Sequence, residues 1–165
     1  MAARGQHRLL PRGSRAPDFR LPILGGGETT LAEILTRGPV LLAFFKTSCP
    51  VCQLTFPFLD RLHSAATLPG ALQIYGISQN DPEDTREFNQ EFGVTFPTLL
   101  DSEESGFPAS NAYGISSVPT LFLVECDRTI SQVIEGWQRK HIEGLAGAGA
   151  ALFRPGEYVP EWKAG

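Results

Sequence analysis

Cysteine is scarce in this chain of 165 residues: there are three, too few for a small domain stapled by disulfides. Long apolar runs are missing too. The longest, Val40 to Phe45, is far short of the about 20 residues a spanning helix needs. Basic excess is also absent: 14 Lys and Arg stand against 18 Asp and Glu, a net charge of −4, which argues against a dedicated nucleic-acid binder. No secretory apolar stretch follows Met1, because the first 18 residues are basic and carry few apolar side chains. What is present is a hydrophobic fraction of 42%, enough for a chain of this size to bury about two-thirds of its unfolded surface. The composition reads as one soluble domain, cytoplasmic as the chain stands and periplasmic if a leader has been removed.

Three stretches are expected. Residues 1–18 alternate Arg4, Arg8, Arg12 and Arg15 with Gly5, Pro11, Gly13 and Pro17. That pattern breaks a helix and reads as a flexible basic arm. Residues 19–153 form the domain, and the Pro/Gly-rich residues 154–165 form a tail in which Tyr158 and Trp162 are candidates to pack back.

Within the domain, two hydrophobic periods alternate. Phe19 to Leu24 reads as a strand closed by Gly25-Gly26-Gly27, and Thr30 with Glu33 as a capping box over Leu31 to Thr36. Pro39 to Phe45 is a continuous apolar run suited to a central strand covered on both faces. Val51 to Ala66 has helical spacing and contains Pro57, an expected kink; Leu72 to Ser78 is a strand and Pro82 to Phe92 a helix. A short strand at Thr98 to Leu100 and a helical turn at Ala109 to Tyr113 come next. Thr120 to Glu125 and Ile130 to Glu135 form a hairpin, and His141 to Phe153 a final helix. The order implies an α/β domain: a central mixed sheet with helices on its faces.

The informative segment is Cys49-Pro50-Val51-Cys52, placed where a buried strand ends and a long helix begins. Two intervening residues bring the side chains within disulfide reach in the first helical turn. Unpaired N–H groups and the positive end of the helix dipole stabilise a thiolate on Cys49, so its pKa is expected near 7 or lower. Cys49 is then the candidate nucleophile, and Cys52, one turn in, the cysteine that resolves a mixed disulfide. Three other readings compete. Half of a zinc site lacks its second pair, since Cys126, His63 and His141 show no metal spacing. An inert buried pair fits the strand-end placement less well. Peroxidase chemistry would turn Cys49 into a sulfenic acid.

A second element, Val118-Pro119-Thr120, directly precedes the strand at Leu121. Proline is allowed there, and a cis bond would expose backbone groups able to pair with an extended substrate and hold its cysteine over Cys49.

Together, Cys49-Pro50-Val51-Cys52 after a buried strand and Val118-Pro119-Thr120 before a hairpin resemble the thioredoxin-like superfamily. The opening Ala16-Pro17-Asp18-Phe19 and the segment ending Tyr113-Gly114-Ile115 narrow the resemblance to its redoxin branch. That branch includes alkyl hydroperoxide reductase/thiol-specific antioxidant proteins and cytochrome-maturation thiol reductases. The resemblance implies a thioredoxin-like fold, a redox-active Cys49–Cys52 disulfide and a cis Val118–Pro119 bond. It also implies thiol–disulfide exchange with a protein disulfide or dithiol, supported by an upstream thiol reductant. Substrate contacts fall at Val118, Pro119, Thr120, Pro50 and Val51, and neither cofactor nor metal is called for. A thioredoxin-fold binding module with incidental cysteines is the other alternative.

Departures from the pattern are informative. Ala43 stands where thioredoxin has a buried aspartate, Thr55 where the cytochrome-maturation reductases have a glutamate, and Ser48 where a Trp is usual. Such acids relay protons to the second cysteine, so water or Lys46 has to assist. The peroxiredoxin Pro-x-x-x-Thr-x-x-Cys pattern meets Leu42 and Lys46 instead. Among the rest, Cys126 reads as a small buried thiol at a strand end. Trp137 reads as a core residue with its N–H satisfied, His63 and His141 as surface positions, and Asp81, Glu83 and Asp84 as first-turn helix acids.

Overall fold

A computed structural model describes residues 8–147 and 152–165. The central strands are β3 (Val40–Phe45), β4 (Gln73–Ser78), β5 (Thr98–Leu100), β6 (Thr120–Val124) and β7 (Ile130–Glu135), preceded by β1 (Arg20–Pro22) and β2 (Glu28–Thr30). The helices are α1 (Leu31–Leu35), α2 (Pro50–Ala65), α3 (Pro82–Glu91), α4 (Pro108–Tyr113) and α5 (Arg139–Leu145). Two short strands, β8 (Trp137–Gln138) and β9 (Trp162–Lys163), complete the set.

The five-stranded sheet runs β5-β4-β3-β6-β7. Strands β3, β4 and β5 are parallel, and β6 and β7 are antiparallel additions. As the unbroken apolar run requires, all of β3 is buried. Successive strand residues face opposite sides, so Phe44 and Phe45 serve different layers. Phe45 lies 4.4 Å from Phe56 of α2 and 4.9 Å from Phe88 of α3 (ring centroids). Phe44 packs on Tyr113 of α4 at 5.4 Å and on Phe122 at 5.8 Å. Helices therefore cover both faces, and each buried aromatic contributes on the order of 2–3 kcal/mol of hydrophobic stabilisation.

Local chemistry follows the sequence closely at the helix starts. Thr30 accepts from Glu33 N at 3.1 Å, while the Glu33 carboxylate takes the Thr29 hydroxyl at 3.1 Å, so only half of the expected capping box forms. Asp81 caps α3 through Asp84 N at 2.8 Å. Helix α2 runs through Pro57 without a break.

Four expectations are corrected. The first strand is part of a β1–β2 hairpin, because the three glycines turn the chain back on itself. From Leu10 onward the basic lead is docked rather than free. Leu10 N donates to Tyr113 O at 3.1 Å, Gly13 N to Ile130 O at 2.7 Å and Ala16 N to Arg128 O at 2.8 Å. Backbone pairing outweighs an unhelical composition there, and residues 1–7 lie outside the described part. The last helix covers Arg139–Leu145, earlier than expected; residues 148–151 of the expected span are not described. Cys126 is exposed rather than buried, because β6 ends at Val124 and the cysteine falls in the turn.

The tail returns to the domain, but through its backbone and Glu157. Tyr158 and Trp162 are 71% and 63% exposed. Glu157 makes a two-pronged ion pair with Arg61, at 2.8 Å and 2.5 Å. Trp137 is fully buried as expected, and its indole N–H donates to Pro160 O.

Candidate active site

Strand β3 delivers the chain to Lys46-Thr47-Ser48, and Cys49 then acts as the N-cap of α2, with extended backbone at φ −83° and ψ 115°. An N-cap side chain faces the free amides of the first turn. Cys49 Sγ accordingly accepts from Cys52 N at 3.2 Å. Pro50 at the first helical position has no N–H to offer, which leaves the amides of Val51 and Cys52 to act on the sulfur. The approach loop is held by Asn80, whose side chain accepts from Thr47 N at 2.9 Å, and by Gln53, which donates to Thr47 O at 3.0 Å.

The two sulfurs are free thiols in unlike surroundings: Cys49 is half-buried, and Cys52 is completely buried. The interaction with the Cys52 side chain is the largest influence on Cys49. Together with the amides of Cys52 and Val51 and the charge of Lys46, it outweighs partial burial and lowers the thiol from 9.0 to about 6. Burial pushes the Cys52 thiol strongly up, and the bond to Cys49 adds to that. Among the described residues, no carboxylate is one of the main influences on Cys52. Thr55, fully buried, spends its hydroxyl on Val51 O at 2.7 Å, and Ala43 lies inside β3 between Gly76 and Leu121.

The Val118–Pro119 peptide is cis. The fold brings Val118 O to 3.4 Å from Cys49 Sγ, so the two motifs, far apart in sequence, share one corner of the sheet. Val118, Pro119 and Thr120 are all buried, however, and do not present the open edge expected of them.

A family model described as "AhpC/TSA family" matches residues 12–133. The chain belongs to the AhpC/TSA family. Thiol-disulfide oxidoreductase ResA of Geobacillus thermodenitrificans is 31% identical over 139 residues, covering 81% of this chain and 77% of that protein. The crystal structure of a DsbE-type thiol:disulfide interchange protein from Chlorobium tepidum superposes with a TM-score of 0.72 at 25% identity, covering 82% of this chain and 93% of the other. Peroxidoxin BcpB from Mycobacterium tuberculosis, at 20% identity and a TM-score of 0.67, covers 83% and 94% and shares the fold alone. This AhpC/TSA protein is a thiol–disulfide oxidoreductase with a thioredoxin-like fold.

Among the other sequence-selected residues of this family member, His141 is exposed, His63 packs edge-on to Phe96 and Cys126 lies in the β6–β7 turn; the fold gives none of them a contact with the cysteine pair. Two features near the site escaped the sequence reading. Asn80 and Gln53 buttress the loop, and neither residue type nor spacing marks them out. Gly165 of the tail lies against Val118 O, where an added Cβ would overlap the carbonyl. Tyr158 and Trp162 suggest in the sequence that the tail packs back, but not where it lands.

Among the described residues, no helix is long and apolar enough to cross a membrane, and no cluster of three metal-ligating side chains occurs.

Proposed function

We propose that the Cys49–Cys52 pair is the redox centre and that it exchanges electrons with a protein disulfide. In the reductive direction the Cys49 thiolate attacks one sulfur of the substrate disulfide. A Cys49–substrate bond forms, the substrate S–S bond breaks, and the departing sulfur takes a proton from water. Cys52 then loses its proton and attacks Cys49 Sγ. The second substrate sulfur leaves as a thiol, and two electrons have moved from the pair to the substrate. An upstream thiol reductant restores the dithiol; the reverse sequence oxidises a substrate dithiol.

The observation that carries the reading is the bond from Cys52 N to Cys49 Sγ at the mouth of α2. It stabilises negative charge on the outer sulfur, while Cys52 remains covered until Cys49 has reacted. Val118, Pro119 and Thr120 form the substrate side, with Pro50 and Val51 beside the outer sulfur. With Ala43 and Thr55 in place of acids, deprotonating Cys52 falls to water, so resolution is the slow half of the cycle.

A glutathione redox titration, followed by alkylation and mass mapping of each cysteine, tests the reading. Cys49 and Cys52 are expected to lose alkylation together as one bonded pair, with Cys126 behaving independently. A pair that stays free across the titration while dilute peroxide oxygenates Cys49 overturns the reading in favour of a peroxidase.

A further inference from the structure

The exchange mechanism needs a substrate backbone beside Cys49, and that place is already taken. Val118 O, the carbonyl 3.4 Å from Cys49 Sγ, is also the atom that a Cβ on Gly165 would overlap, and Pro119 N lies next to it. Pro119 O is engaged by Gly136 N at 2.8 Å. The residue following the proline loop's sheet partner is thus tied into the same corner as the tail: Gly136 packs so closely on Lys163 O that a Cβ there would overlap it. Strand β9 pairs with β8 in the register Trp137–Lys163 and Gln138–Trp162, and Arg139 N donates to Glu161 O at 3.0 Å. Beneath this, Val118 is 7% exposed.

The tail's own hold is slender. Glu161 to Gly165 are all exposed, and β9 is two residues long. Its firmer anchors lie upstream, in the Trp137–Pro160 bond and the Arg61–Glu157 pair. A segment fixed at one end and lightly paired at the other can swing aside without unfolding the sheet.

Building on the exchange reading, we propose that residues Glu161–Gly165 form a strap that sets substrate choice. The strap sits on the backbone an extended polypeptide would use. Small thiols and disulfides reach the half-buried Cys49 sulfur without moving it, whereas a protein disulfide engages only after the strap has lifted. The substrate favoured is therefore an extended, flexible peptide around its cysteine, able to replace the strap's backbone contacts. A competent fraction below one lowers apparent affinity for such substrates in proportion, and leaves small-molecule chemistry alone.

The full-length chain tests this with Gly165→Val, whose side chain meets the Val118 carbonyl, and Lys163→Pro, which weakens the β8–β9 pairing by removing the backbone donor that faces β8. Hydrogen exchange at residues 162–165 identifies which variant has lifted the strap. In that variant, insulin reduction with dithiothreitol as the source of electrons is expected to rise by roughly three- to tenfold. Alkylation of Cys49 by iodoacetamide is expected to change by less than about twofold. A lifted strap with an unchanged or slower insulin rate overturns the proposal. So does an equal rise in both rates, which makes the strap a simple cover for the sulfur. Failure of the underlying exchange reading looks different: insulin reduction is then absent from the wild-type chain or persists in Cys49→Ser.

Discussion

The mouth and the first turn of α2 hold two cysteines three residues apart, and the fold drives them in opposite directions. At the mouth, Cys49 has amide donors and partial access to water, and its thiol falls to about 6. One turn in, Cys52 has no exposure, and burial raises its thiol. The helix is the same and so is the residue type. What differs is whether the sulfur faces unpaired N–H groups or the packed core. Division of labour in the pair is therefore set by position along a helix end, and an acid dedicated to the second cysteine is not required for the first to be reactive.

The strongest way to break the contrast is to remove one sulfur at a time. Cys49→Ser is expected to abolish exchange, a loss of at least about a thousandfold, because a hydroxyl at this site is not ionised near neutral pH. Cys52→Ser should retain the attack but stop at the mixed disulfide, which non-reducing electrophoresis detects as a trapped adduct. Next in size is the wall behind the pair. Phe45→Ala opens a cavity against Phe56 and Phe88 and is expected to cost about 3–5 kcal/mol in denaturant unfolding.

A pH series sharpens the same contrast. Iodoacetamide alkylation of Cys49 should rise with pH, reach half its plateau near pH 6 and flatten above pH 7, while Cys52 stays unmodified across that range. The sign for stability follows. Folding lowers this thiol, so its contribution is fully present above the unfolded value of about 8.5 and is lost as pH falls through about 6. Denaturant midpoints of wild type and Cys49→Ser should therefore converge toward pH 5. The smallest effect is Lys46→Gln. Its charge ranks below the hydrogen bonds, and the alkylation midpoint should move up by less than about half a unit.

The central features were legible in the sequence for identifiable reasons. A strand buried on both faces has to be apolar throughout, and Val40–Phe45 is. A thiol at a helix mouth is marked by the Pro50 that follows it, and the Val118-Pro119-Thr120 element is distinctive enough to mark the cis peptide that the fold brings to Cys49. What could not be read depends on backbone meeting backbone. The docking of Leu10 on Tyr113, that of Gly13 to Ala16 on the β6–β7 turn and the start of β7, and the landing of Gly165 on Val118 involve main-chain atoms. Residue type carries almost no record of those partners. Cys126 is the complementary case: its apolar neighbourhood in sequence suggests burial, but the turn that follows β6 carries the thiol into solvent.

The hairpin at one side of the sheet and the docked lead at the other have a bearing on how this protein behaves in concentrated solution. Strand β5 would be a bare margin, but Leu24 N donates to Thr98 O at 2.9 Å and Ile23 bridges Leu99. The far margin starts at Ile130, and there Gly13 and Ser14 take up its carbonyl and amide. Both margins are thus blunted by chain that is itself irregular and rich in proline and glycine, a poor template for a further strand. Molecules meeting side by side find few unpaired ladder groups at these points, so neither the β5 margin at Thr98–Leu99 nor the start of β7 offers a ready place to add a strand.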